Sequence, residues 1–202
     1  MPGKLLILSA PSGAGKTSLA RALIEATPNT EMSVSYTTRS CRLGEQDGVD
    51  YHFVDEAEFH VMVKQEAFLE HAQVYDRFYG TGRDAVANKL ENGINVLLDV
   101  DWQGARCVKQ LMSDAISVSI LPPSREELER RLRNRGRDSI EIIEKRMAQA
   151  ESEMSHCHEA DYIILNDDFA AALQDLKYIL AGQTDLVRSL SIDVDSLLQL
   201  TV

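Results

Sequence analysis

Apolar positions fall along the chain in two alternating textures. Short continuous runs, "KLLILS" (4–9), "NVLLDVD" (95–101), "SVSIL" (117–121) and "YIILN" (162–166), are aliphatic at odd and even positions alike. Strands of that kind are buried on both faces, so the pattern predicts a parallel sheet covered by helices. Stretches of helical periodicity lie between the runs, and the fold class expected is α/β. Over 51–81 the texture changes: "YHFV", "FLEHAQV" and "FYGT" read as short strands around a helix of 56–66, capped by Asp55 and Glu58. This stretch, led in by the polar "SYTTRSCRLGEQDG" (35–48), is expected to form a small inserted subdomain.

A helical hairpin is expected after "LPPS". Ser124 is a good N-cap and Glu127 completes a capping box. A second helix should begin near Asp138, with Glu141 at its third position and Ile143, Met147, Ala150 and Met154 along one face. The turn between the two helices falls in "NRGRD".

Composition narrows the function classes. The 202 residues suit about one domain, and 44% hydrophobic with 26% charged content is ordinary for a globular chain. A net charge of -11 argues against a broad nucleic-acid partner. The apolar run in "MPGKLLILSAPSG" is too short for a secretory leader, and no run approaches the ~18 residues of a membrane span. Three widely spaced cysteines, Cys41, Cys107 and Cys157, point to a reduced, cytoplasmic setting without a disulfide framework.

Against that acidity, six of the fourteen arginines sit between Arg125 and Arg137. Glu126, Glu127 and Glu129 stand four residues before Arg130, Arg131 and Arg133, the favourable orientation for helical ion pairs. Arg135 and Arg137 instead follow Arg131 and Arg133 at that spacing. Their like-charge placement makes sense if an anion arrives.

"LLILSAPSGAGKTSLARALI" supplies strand, small-residue loop and helix in that order. The loop fits G-x-x-x-x-G-K-[ST], with Ala10 where the first glycine usually stands and Pro11, Ser12, Gly13, Ala14, Gly15, Lys16 and Thr17 following. Backbone amides from Ser12 to Thr17 would wrap a nucleotide phosphate at the helix's positive end. Lys16 would reach the β- and γ-phosphates, and the Thr17 hydroxyl would bind Mg²⁺. Asp99 and Asp101 end a strand two residues apart and share a face at its C-terminal edge, where ligands of open α/β sheets sit. Asp99 is the expected Mg²⁺-organising residue, acting through water. "HCH" (156–158) lacks the spaced partners of a zinc site. Trp102 and the scattered phenylalanines are expected in the core.

A second phosphate clamp is legible in Arg39 and Arg42, which flank a turn, with Tyr51 following: two forked guanidiniums and a phenol. Together with "SAPSGAGKTSL", "FLEHA", "YGT", "LDVDWQGA", "LPPS", "RRL..RG", "KRM" and "LNDD", this segment resembles the guanylate kinase family from about residue 3 to about 182. The resemblance implies a parallel core (1–34, 84–123, 149–202), a GMP-binding subdomain (35–83) and a mobile lid (124–148). It implies that Arg39, Arg42, Tyr51 and Tyr79 hold the GMP phosphate and that Ser35, Glu70, Thr81 and Asp101 read guanine. Guanine offers a ring N–H beside an amino group, so the Glu70 carboxylate can accept both bonds. The resemblance also brings Arg131, Arg135 and Arg146 to the transferring phosphoryl group and Asn166 near the adenine.

Cys41 replaces a proline common in the family, and Asp76 and Arg77 are unusual before Tyr79. The implied reaction is Mg·ATP with GMP, or dGMP, giving ADP and GDP, with Mg²⁺ the one cofactor and a homo-oligomer left open. Two rivals are a non-catalytic phosphopeptide-binding scaffold of the same fold and a P-loop kinase for another small acceptor. The intact Gly15, Lys16 and Thr17 oppose the first. Glu70 with Thr81 and Asp101 opposes the second.

Overall fold

The computed structural model describes residues 2–74, 76–134, 139–190 and 197. Its main sheet has five parallel strands in the order β2 (Thr30–Met32), β7 (Asn95–Asp99), β1 (Leu5–Ser9), β8 (Ile116–Leu121) and β9 (Tyr162–Leu165). All four apolar runs therefore became strands. The unanticipated one is β2, whose "TEM" is too short and polar to announce itself.

Leu5, Leu6, Ile7 and Leu8 of β1 are all buried, and their alternation divides the core in two. Leu6 and Leu8 pack with Leu19, Ala20 and Leu23 of α1 (Lys16–Ala26) and Leu176 and Ile179 of α7 (Phe169–Ala181). Leu5 and Ile7 pack on the opposite face with Val86 of α3 (Arg83–Glu91) and Val108 of α4 (Trp102–Leu111). The run at 95–101 leaves the sheet at Asp99, because Asp101 caps α4 by accepting a hydrogen bond from the Gly104 N–H at 2.8 Å.

Residues 35–83 carry a second sheet, ordered β4 (His52–Phe53), β3 (Tyr36–Thr37), β6 (Arg77–Gly82) and β5 (Phe68–Val74). The expected helix appears as α2 (Glu56–Lys64), with Asp55 accepting from the Glu58 N–H at 2.7 Å. Its Phe59 is fully buried and stacks on Phe68 and Phe78, giving this sheet its own small core. The two-residue β3 lies in the segment expected to be only a polar lead-in.

The helical hairpin consists of α5 (Arg125–Asn134) and α6 (Ile140–Ser155). Ser124 caps α5, accepting from the Glu127 N–H at 3.1 Å, but Glu127 does not close a capping box. Its carboxylate is taken by Arg130 and Arg131 instead. Ser139 caps α6. The expected apolar face is present: Ile143, Met147, Ala150 and Met154 are buried with Leu128 and Leu132 of α5 and with Leu121 and Leu165 at the sheet end. The expected turn, with Arg135, Arg137 and Asp138, lies outside the described residues. No helix among the described residues is long and apolar enough to cross a membrane.

Candidate active site

The loop between β1 and α1 lies at the C-terminal edge of the sheet. Gly13 and Gly15 adopt φ of 102° and 99°, left-handed values that let the loop curl, and the Ala14 N–H closes the curl on the Pro11 carbonyl at 3.0 Å. The buried Asn166 at the end of β9 braces this curl, donating from Nδ2 to the Ala14 carbonyl at 2.6 Å. A Cβ on Gly15 would collide with the same amide. Leu128 and Leu132 of α5 press on the loop at Gly13, where a Cβ would come within 2.9 Å of Leu128. The resemblance implies a place for Asn166 near the adenine; the side chain itself lies against the loop's backbone.

A cavity of about 290 Å³ opens above the loop, lined by Ala10 to Gly13, Gly15 to Ser18, Asp99 and Glu153. Lys16 Nζ pairs with Asp99 at 2.6 Å and donates to the Val100 carbonyl at 3.2 Å. Glu153 was missed by sequence reasoning. Burial pushes its carboxyl up, Lys16 draws it back, and Asp101 and Asp99 push it further. Its Oε2 is shut off from solvent and has no hydrogen-bond partner among the described residues. The signal that could have found it is its place on α6, seven residues after Arg146 and so on the same helical side.

Across the cleft, Glu70, Thr81 and Asp101 converge around Gly104. Thr81 donates to Glu70 Oε1 at 2.6 Å. A Cβ on Gly104 would lie 3.4 Å from Glu70 Oε2 and 3.5 Å from Asp101 Oδ1. Burial raises the Glu70 carboxyl above its ordinary value, and the Asp101 charge adds to this while the Thr81 hydroxyl opposes it. One oxygen of Glu70 is thus fixed by Thr81, and the second lies beside a glycine that leaves it room.

A second cluster sits on the loop from Arg39 to Glu45. Arg39 forks onto Glu45 at 2.9 and 2.8 Å, and Glu45 also accepts from the Arg42 N–H at 2.8 Å. These contacts, Arg39 foremost, hold the Glu45 carboxyl below its ordinary value. The Arg39 guanidinium lies 5.2 Å from the Tyr51 ring centre, and Tyr51 meets Tyr79 edge-on at 6.1 Å. Arg39, Tyr51 and Tyr79 are therefore together, Arg42 is exposed beside them, and Ser35 is half-buried on the approach to β3. Glu45 was not among the expected site residues, although its position six residues after Arg39 was readable.

On α5, Arg131 reaches Glu127 at 2.8 Å and the Asn166 carbonyl at 3.0 Å, which links the hairpin to the loop's brace. Arg133 pairs with Glu129 as its spacing predicts. Arg130 does not pair with Glu126: it reaches Glu127, one residue nearer, at 2.6 Å, and Glu126 is bonded to Ser124. Arg130 first and Arg131 second hold the Glu127 carboxyl down at about 2. Arg146 lies half-buried on α6, and Arg135 is outside the described residues. Trp102 is not a core residue: it is half-buried, with His156 stacked on it at 3.5 Å and Arg106 over its ring at 4.8 Å. Phe59 and Phe68 are core, whereas Phe169 is exposed. Cys157 is buried beneath the hairpin while the His156 ring lies on Trp102, so 156–158 does not gather into one site.

A phosphate loop facing a second, separately built polar pocket across one sheet edge is the arrangement of a P-loop kinase. Comparison with known proteins narrows the class. The family model described as Guanylate kinase matches residues 2–183. A guanylate kinase of Alkalilimnicola ehrlichii is 56% identical, covering 89% of this chain and 88% of the relative. One of Escherichia coli K12 is 55% identical over 90% of this chain and 88% of its own length. The crystal structure of guanylate kinase from Anaplasma phagocytophilum superposes with a TM-score of 0.70 at 36% identity, over 91% of this chain and 87% of that one. The chain belongs to the guanylate kinase family and is an ATP-dependent nucleoside monophosphate kinase.

Proposed function

We propose that the cleft transfers the γ-phosphoryl group of Mg·ATP directly to the phosphate of GMP or dGMP, giving ADP and the guanosine diphosphate. The observation that carries this reading is the short stretch from Asp99 to Gly104. Its first residues hold Lys16, while Asp101 and Gly104 meet Glu70. Donor and acceptor pockets are thus joined through the C-terminal end of one strand.

Lys16 would leave Asp99 for the β- and γ-phosphates, which the amides of Ser12 to Thr17 would surround. Arg39, Arg42, Tyr51 and Tyr79 would grip the acceptor phosphate, with Glu45 holding Arg39 ready. Glu70, with Ser35, Thr81 and Asp101, would read guanine. Arg131, Arg135 and Arg146 would neutralise charge on the transferring group as the hairpin closes and expels water. The acceptor phosphate is already anionic at neutral pH, so positioning and charge neutralisation suffice without a general base.

The residues at the loop's mouth fit Mg²⁺. Thr17 and Asp99 offer oxygen donors, and the buried Glu153 Oε2 lacks a hydrogen-bond partner among the described residues, a set suited to a hard cation. When bound, the ion would lower the negative charge of the phosphates; Thr17 would hold it and Asp99 would order its water. Free thiols at Cys41, Cys107 and Cys157 support a reducing, cytoplasmic setting.

The test is Glu70→Gln. The variant presents an amide N–H₂ where guanine also donates, so two charge-assisted bonds of about 1.5–3 kcal/mol each are at stake, or ~10²–10⁴-fold in kcat/KM for GMP. The KM for ATP should not change. Because burial raises the Glu70 carboxyl, the ionised form that binds guanine is lost as pH falls through a value above 4.5. The parent's kcat/KM for GMP should show that acid limb and Glu70→Gln should not. An unchanged preference of GMP over AMP in the variant removes Glu70 from the site.

A further inference from the structure

Helix α6 brings two functional side chains to one side: Arg146 and, about two turns later, Glu153. The neighbouring face, with Ile143, Met147 and Met154, is buried in the core and fixes the helix's rotation. Glu153 is thereby delivered to the cavity above the phosphate loop, beside Lys16, Thr17 and Asp99.

Its situation there is costly without a cation. Oε2 is buried with no hydrogen-bond partner among the described residues, and a desolvated polar atom left in that state is unfavourable. Asp99 and Asp101 are the like charges around it. Lys16 is a nearby cation, and it is already engaged by Asp99 at 2.6 Å and the Val100 carbonyl at 3.2 Å. When Lys16 moves to a nucleotide phosphate, Asp99 and Glu153 face the cavity, with Asp101 behind them, and with less positive charge among them.

We infer that Glu153 is a metal-positioning residue: through water it holds the Mg²⁺ that enters with the nucleotide, and so ties the helix carrying Arg146 to the occupied site. The inference rests on the proposed use of Mg²⁺.

The experiment is calorimetric titration of ADP into the full chain with and without Mg²⁺, for the parent, Glu153→Gln and Glu153→Asp. Glu153→Gln should reduce the Mg²⁺-dependent gain in ADP affinity about tenfold, the usual effect of removing an outer partner of a metal site. Metal-free ADP binding and GMP binding should be preserved. Thermal stability should hold or rise, because a buried charge is removed. Mn²⁺ in place of Mg²⁺, followed by electron paramagnetic resonance, reads the same loss directly as weaker metal retention in the ADP complex. Should the Gln variant not fold, Glu153→Asp keeps the charge but retracts it, and its Mg²⁺-dependent gain should fall as well. An undiminished gain in the folded variants overturns the inference. So does an equal loss of ADP affinity with and without metal, which is the mark of a structural role. If the parent's own ADP affinity ignores Mg²⁺, the metal reading fails first and the role of Glu153 fails with it.

Discussion

Asn166→Ala separates two roles for one side chain: contact with the adenine, or support of the phosphate loop. Asn166 is 5% exposed, and its Nδ2 donates to the Ala14 carbonyl at 2.6 Å inside the fold. Truncation removes a buried hydrogen bond, strands a backbone carbonyl and leaves a small void beneath the loop. Losing one partner of a buried pair costs about 2–3 kcal/mol once the stranded group is counted. For a chain of this size that lowers Tm by ~5–10 °C. The left-handed Gly13 and Gly15 conformations lose their brace, so the loop pays ordering entropy on binding any nucleotide triphosphate. The assays are thermal denaturation without ligand and KM for two phosphate donors, ATP and ITP, which differ at the six-position of the purine. Support of the loop predicts a lower Tm and an equal rise in KM for both donors. A Tm within about 1 °C of the parent, a shift small enough to be no stranded bond, refutes the reasoning. A changed ATP:ITP ratio would return Asn166 to the base.

Lys16→Ala should lower turnover by ~10²–10³-fold or more, as expected when a cation on the transferring group is removed. Its fold should persist, since the Asp99 left behind is 36% exposed and can be hydrated; circular dichroism and steady-state kinetics check both halves. Arg133→Ala should behave as the parent, because its pair with Glu129 is a half-exposed surface contact worth a few tenths of a kcal/mol. Arg131→Ala and Arg135→Ala should lose ~10³-fold in kcat if they meet the phosphates. Equal behaviour of all three variants would reduce the block to an ion-paired helix.

What the sequence made legible were features with short-range causes. β1 and the loop after it announce themselves because four consecutive aliphatic residues, Leu5 to Leu8, and the glycine spacing lie within one unbroken segment, Leu5 through Lys16. The apolar face of α6 follows from helical periodicity alone. Failures came where a distant or competing partner decided. Ser124 and Glu127 have capping-box spacing, yet two arginines one turn on outbid a single backbone N–H for the carboxylate. Trp102 is apolar and follows a strand, but it starts a helix at the sheet's edge and finds His156, which no local pattern links to it. The Asn166 brace joins residues 152 positions apart. Glu153 reads as one more glutamate on an acidic helix until the fold sets it against Lys16 and Asp99.

The most direct measurement is ADP release from Mg·ATP by the purified chain, with GMP, dGMP, AMP, CMP and UMP offered in turn as acceptors. Release should require an acceptor and should be rapid with GMP and dGMP. It should be slower by ~10³-fold or more in kcat/KM with the others, because the Glu70 carboxylate, if it accepts guanine's paired donors as proposed, would be left unsatisfied by any other base. Rapid release with AMP, CMP or UMP, or no acceptor-dependent release at all, would contradict the account.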